Sequence, residues 1–436
     1  MKHLLAGYMR RFAVVLGLMT VAAVPQTWAA GEQELAQEAA EPVEIEVWHS
    51  LSQNFGAPQL ESFVERFNEE QNDVSVTLVY QGGYTDTLRA AEAALAGGAP
   101  PDVSMFEQTR GAGFVDAGAI LPLDDLIGTD PDIAIDDFFP RLMTTVTIDG
   151  RAWGIPYNTS TPLIYYNRDL FREMGLDPET DFPETWDELL EVGREFTVRE
   201  DGELVRWAFG LPTAPGWMFD AFLGQAGGTF LNDDGSEFVF NSPEAVEMME
   251  FWVTLRDEGV GFPGGGADDF FAGNQAMLYQ STAVLENMFD NATFDLGVAP
   301  MWRHREASVP IGGGNFYIFD QGDDRVHQAA WEFLKWLVTD EPAAEFAIAT
   351  GYHVQRVDTL EHPLMRERFE DRPEARITYD QLQSYAKART LVPFWGEIHD
   401  LMTVSTQQVL LEDRDPQAAL DEAVAEANRL LEAYRR

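Results

Sequence analysis

The chain has 436 residues, 45% of them hydrophobic, with 74 acidic residues against 29 basic, a formal net charge of −45, and no cysteine. That balance excludes nucleic acid and anionic lipid surfaces as partners, since both require a basic face. It also excludes disulfides, and acids spread along the whole chain fit a high-salt, halophilic setting in which self-repulsion is screened.

Lys2, Arg10 and Arg11 give a positive start, Phe12 to Val24 an apolar run, and "QTWAAG" a small-residue exit. Together these predict a secretory signal peptide over residues 1–30, cleaved near Ala29 or Ala30; the apolar run is too short for a membrane span. With no cysteine at the exit to carry a lipid, the expected product is a soluble, exported monomer in the periplasm. Residues 31–42 are acidic and Ala-rich and read as a flexible leader.

From Val43 the pattern becomes regular. "VEIEVWHS" alternates as a first strand, with Trp48 and His49 at its end, and Leu60, Phe63, Val64 and Phe67 recur at helical spacing. "VSVTLVY" is a second strand and "YTDTLRAAEAALAGG" a second helix ending at glycine. "PDVSMFE" is a third strand, followed by a helix over roughly residues 109–117. Strand–helix–strand–helix–strand predicts a parallel sheet with helices on its faces. "IDGRAWGIPYN" reads as a hairpin and a return strand, and a second α/β unit begins after "NTST". Thr185 with Glu188 forms a capping box, Ser242 with Pro243 opens a later helix, and Asp415 with Pro416 opens the last one. "DDFFAGNQAMLYQSTAVLENM" reads as helix, short strand, loop, helix, and "FDLGVAPM" and "GGNFYIFD" read as strands. Two α/β units joined more than once predict a cleft that closes by hinging.

Catalytic signatures are missing from this sequence. There is no HExxH and no paired histidine at ligand spacing, so no metal site is expected. There is no G-x-S-x-G elbow, P-loop or dinucleotide fingerprint, and "GGG" at 312–314 lacks the spacing for one. The expectation is a binding protein with no cofactor. A secreted hydrolase of phosphodiesters is the remote alternative.

The order "EVWHS", "ERFNEEQNDVSVTLVYQGGYTDTL", "GGAPPDVSMFE", "GIPYNTSTPLIYYNRDLF", "PETWDELLE", "FFAGNQAMLYQST", "IGGGNFYIF" and "TGYHVQR" resembles the extracellular solute-binding proteins of ABC importers. The class is the one that includes maltose-binding protein, and the likeness is strongest to its glycerol-3-phosphate-binding members. It implies an α/β, two-lobed periplasmic-binding-protein fold with a hinge and an interlobe ligand cleft. The implied first lobe is 43–157 with 294–320, and the second is 158–293 with 321–436. The implied partners are a small-molecule solute and an inner-membrane permease with its ATPase subunits.

The resemblance also implies ligand contacts. Tyr84 would cover or hydrogen-bond the ligand, Glu107 would accept from its hydroxyls, and Ser160 would donate from the crossover turn. Trp217 would stack on ligand carbons, and Ser281 would open a helix favouring an anion. Gly313, with Gly312 and Gly314, would let backbone approach closely, and Tyr352 would cap the cleft. Trp48, His49 and Trp395 are more peripheral candidates. Each also has an ordinary structural reading, such as a local turn, a cap or a core aromatic.

Two departures from those members stand out. Of their paired tryptophans only the second aligns, at Trp217, because the first falls near Ala214. Where they carry a phosphate-binding arginine this chain has His399, whose charge depends on pH and should strengthen phosphate binding as pH falls through about 6 to 7. That opens the choice of ligand to glycerol 3-phosphate, a glycerophosphodiester such as glycerophosphocholine, or a neutral sugar or oligosaccharide. Arg356 or Arg389 are the alternative sources of positive charge.

Overall fold

The computed structural model describes residues 41–435, so the expected signal peptide and all but the last two residues of the leader lie outside the described residues. Two five-strand paths form the centres of two lobes, and each is covered by helices. Across the first sheet the order is Val74–Tyr80, Val43–His49, Val103–Glu107, Gly314–Ile318 and Ile155–Pro156. The first three strands are parallel, as their pattern predicts. Gly314–Ile318 runs antiparallel to its neighbours on both sides.

The second sheet repeats this plan in the order Gly261–Pro263, Glu203–Leu211, Gln275–Ser281, Pro162–Asn167 and Leu296–Ala299. Its first three strands are parallel and the last two are antiparallel to their neighbours. Pro162–Asn167 is buried at all six positions, so both its faces are covered, which explains its unbroken run of apolar and aromatic residues. Asn167 then opens the next helix by accepting from the backbone N–H groups of Asp169 and Leu170.

The signals read along the chain have local causes here. Ala57–Glu70 carries Pro58 in its first turn and buries Leu60, Phe63, Val64 and Phe67. Thr185 and Glu188 form the reciprocal capping box, and the Asp415 side chain accepts from Ala418 N–H. Ser242 sits in cap position, but its side chain makes no cap hydrogen bond; Pro243 has already removed one of the free donors there. The helix expected over 109–117 is a shorter Ala112–Asp116.

The lobe boundaries differ from those the resemblance implies. Leu296–Ala299 pairs with Pro162–Asn167 and so lies in the second sheet, not the first. The helix Asp324–Leu337 places Trp331, Phe333 and Leu334 in the first lobe's core, because a helix that follows a return strand packs back on the sheet it has just left. A third passage then follows, with Tyr352 in the first core and Val354 in the second.

Among the described residues three segments therefore pass between the lobes, and they are bonded side by side. Ser160 and Gly312 exchange backbone hydrogen bonds at 3.0 and 2.8 Å, Tyr157 N–H donates to Gly314, and His353 N–H donates to Thr159 at 2.9 Å. Gly313 has φ +96°, and a Cβ there would overlap the carbonyl oxygen of Asn158. Gly98 has a comparable φ of +74° with open space around it. Gly313→Ala should thus be less stable than Gly98→Ala by about 1–3 kcal/mol or more, the difference being the lost close approach. Urea unfolding of the two variants checks this; equal losses would remove the crossing's claim to need glycine.

Candidate functional site

The space between the lobes divides into two adjoining compartments of about 460 and 530 Å³. Gly83, Tyr84, Trp217 and Gly313 line both and form the shared wall. The helix Tyr84–Ala96 supplies Tyr84 from the first lobe, and Trp217–Gln225 supplies Trp217 from the second. Tyr84 is fixed by the crossing itself, because Asn158 Nδ2 donates to its hydroxyl at 2.7 Å. Trp217 lies so close to Gly312 that a Cβ there would overlap the indole ring. The triple glycine thus serves both the crossing and the wall of the cleft.

The first compartment holds no charged side chain. Ser160, Ser281 and Gln280 give polar groups, while Phe55, Tyr80, Tyr279 and Tyr352 add aromatic surface. Tyr352 stacks on Phe346 with ring centroids 5.5 Å apart, and burial pushes its hydroxyl up to about 12. Ser281 ends its strand and accepts from Ala283 N–H, but the turn it caps is only Thr282–Val284. The anion-favouring helix expected there is absent, since the following helix Leu285–Asn291 starts later, with Val284 at its cap.

The second compartment is charged. Glu107, Arg110, Arg389, His399, Trp395 and Asp86 line it beyond the shared wall. Arg389 is the centre of this group, with a side chain only 5% exposed. Its Nη1 donates to Glu107 of the first lobe at 2.8 Å and its Nε to Asp220 of the second at 3.3 Å. Its guanidinium also lies 5.4 Å from the Trp395 ring centre. Glu107 accepts in addition from the Thr109 hydroxyl, and Arg110 Nε is 3.7 Å from it. Burial, then Arg389, holds the His399 imidazole below its ordinary 6.5, so any gain of charge there falls at lower pH than the sequence suggests.

Of the residues singled out in the sequence, Tyr84, Ser160, Trp217, Ser281, Gly313 and Tyr352 meet around the first compartment, and Glu107, Trp395 and His399 around the second. Gly312 and Gly314 flank Gly313 at the crossing. Trp48 and His49 line neither compartment. Trp48 donates to Glu46 and packs on the first core, while His49 is buried beside Tyr80, its imidazole pushed down to about 4 by that burial. Arg356 points elsewhere, 3.7 Å from Asp340. Asp220 and Arg110 escaped the sequence reading. The signal for Asp220 was an acid within the apolar helix "WMFDAFLGQ", where Met218, Phe219, Ala221 and Phe222 are all buried. Among the described residues no cluster of three or more His, Asp or Glu has metal-holding geometry.

The profile of the family described as bacterial extracellular solute-binding protein matches residues 62–362. The chain belongs to that family. This solute-binding protein is 30% identical over 421 residues to the sn-glycerol-3-phosphate-binding periplasmic protein UgpB of Yersinia pestis, covering 90% of this chain and 93% of the relative. The Escherichia coli protein of the same name is 28% identical over 420 residues, covering 89% and 93%. Among solved structures, UgpB from Mycobacterium tuberculosis in complex with glycerophosphocholine superposes with a TM-score of 0.78 at 24% identity, covering 90% of this chain and 99% of that one. The cyclic alpha-maltosyl-1,6-maltose binding protein from Arthrobacter globiformis gives 0.78 at 26%, covering 89% and 99%. The two-lobed α/β fold is therefore that of the family, whose members bind solutes and are not enzymes.

Burial pushes the Asp220 carboxyl up to about 6 against the opposing pull of Arg389. An acid whose folded value is raised above 3.8 gives a stability contribution that is full below the unfolded value and is lost as pH rises through about 6. Asp220→Asn removes that loss. The stability of the variant relative to the parent should therefore rise between about pH 4 and pH 7, measured by thermal unfolding across pH. A difference that stays flat over this range would contradict the desolvation of a buried Asp220 carboxylate.

Proposed function

We propose that this chain is the periplasmic receptor of an ABC importer for a glycerol phosphate, either glycerol 3-phosphate or a glycerophosphodiester such as glycerophosphocholine. The solute would enter between the lobes, hinge closure would bury it, and the closed form would dock on a membrane permease driven by ATPase subunits. The observation that carries the reading is Arg389, a buried guanidinium in the cleft wall between the lobes. A site for neutral sugars alone has little need of such a group, whereas a phosphate oxygen is matched by its planar donors. The relatives named for sn-glycerol 3-phosphate support the same chemistry.

Arg389 fills the role that the sequence left to His399. It stands in the same compartment, keeps its charge at every relevant pH, and lies beside the aromatic wall of Trp217 and Trp395. Glu107 faces the same space and would accept from glycerol hydroxyls or attract a cationic head group. Aromatic faces suit either a polyol's carbons or a quaternary ammonium.

One observation favours a sugar instead. The first compartment is uncharged and rich in aromatic rings and hydroxyls, which is also how a sugar face is held. Calorimetric titration in high salt with glycerol 3-phosphate, glycerophosphocholine and maltose separates the two readings. One-to-one binding of a glycerol phosphate, weakened at least tenfold, about 1.4 kcal/mol, by both Arg389→Gln and Trp217→Ala, is the expected result. Binding of maltose alone, unaffected by Arg389→Gln, would transfer the protein to the sugar receptors.

A further inference from the structure

Asp220 lines neither compartment of the cleft. It borders a separate cavity of about 160 Å³ behind it, together with Arg389 and Lys387. Its side chain is 7% exposed. Oδ1 accepts from Arg389 Nε, while Oδ2 is buried with no hydrogen-bond partner among the described residues. Lys387 does not offset this charge directly, because its ammonium pairs with Glu306 at 3.2 Å. A buried carboxylate with one oxygen unmatched is an expensive way to fill a helix position. Its one evident partner is Arg389, which lines the charged compartment of the cleft.

The charges around that cation are unevenly matched. Glu107 and Asp220 hold Arg389 from opposite lobes, Asp86 adds a third carboxylate at the cleft wall, and Arg110 is the second cation. The bonds to the two carboxylates use Nη1 and Nε of Arg389, and Nη2 donates to neither. A ligand anion therefore meets an oriented donor whose charge is already largely offset. A phosphodiester brings one negative charge, while a phosphomonoester brings close to two above its second ionisation near pH 6.

We propose that Asp220 is a positioning residue that sets ligand choice, holding Arg389 in place and offsetting its charge so that the cleft takes a glycerophosphodiester in preference to a glycerol phosphomonoester. This rests on the glycerol-phosphate reading above and adds the selectivity and the residue that imposes it. Asp220 acts through the guanidinium and makes no ligand contact of its own.

The test is calorimetric titration at pH 7.5 and fixed salt, with glycerol 3-phosphate and glycerophosphocholine, for the parent protein and Asp220→Asn. The parent should favour the diester, and the variant should shift the ratio of affinities at least tenfold toward the monoester. Asp220→Ser should shift it the same way, and serves if the amide variant fails to fold. A merely structural role would weaken both ligands alike, so a ratio unchanged in a folded variant, or a parent that favours the monoester, overturns the assignment while leaving the glycerol-phosphate reading in place. Binding of neither ligand by parent and variant overturns that reading, and the role of Asp220 with it.

Discussion

At Gly312–Gly314 the chain returns to the first lobe through a gap with no room for side chains. Gly312 faces the Trp217 ring, Gly313 the Asn158 carbonyl, and Gly314 the Phe106 carbonyl and the Tyr84 ring. The constraint runs in both directions. Because backbone packs on backbone, the crossings can exchange hydrogen bonds at Ser160 and Gly312. Because no Cβ intervenes, one aromatic from each lobe can close on the same short segment. The shared wall of the two compartments is thus a by-product of how the lobes are joined, and the ligand space inherits its position from the hinge.

Electrostatics supply the second organising element. With a formal net charge of −45, the surface field repels an anionic solute. Screening confines that field to about 8–10 Å at moderate salt, whereas a buried guanidinium acts in a poorly screened space. Arg389 needs carboxylates to be buried at all. Taking one from each lobe, it also becomes a link across the cleft, so that holding the lobes together and presenting a donor to the cleft fall to the same group.

Much of the architecture was legible in the sequence because it rests on local physics. Alternation at Val43, Ile45 and Val47, the helical spacing from Leu60 to Phe67, and the caps at Thr185 and Asp415 concern neighbours within a turn or a strand. The lobe boundaries depend on which sheet a strand joins, and the apolar "LGVA" of Leu296–Ala299 would suit either. The same limit applied to the site. Tyr84, Glu107, Trp217 and Gly313 came from motifs in a familiar order, and they do line the cleft. Arg389 is 282 residues from Glu107 and 169 from Asp220 along the chain, so nothing local marks it apart from the other arginines. Trp48 and His49 lie in a motif of the resemblance, yet the strand's alternation turns His49 inward and leaves Trp48 against the first core.

On the proposed reading, the ligand's anionic group meets Arg389 in the charged compartment while the rest of the molecule reaches the aromatic one. A crystal structure of the protein with glycerophosphocholine tests this placement. The expected result is a phosphate oxygen within hydrogen-bonding distance of the Arg389 guanidinium, with Trp217 and Tyr84 covering the carbon chain. A phosphate seated among Ser160, Ser281 and Tyr352 with Arg389 still bound only to Glu107 and Asp220 would contradict it.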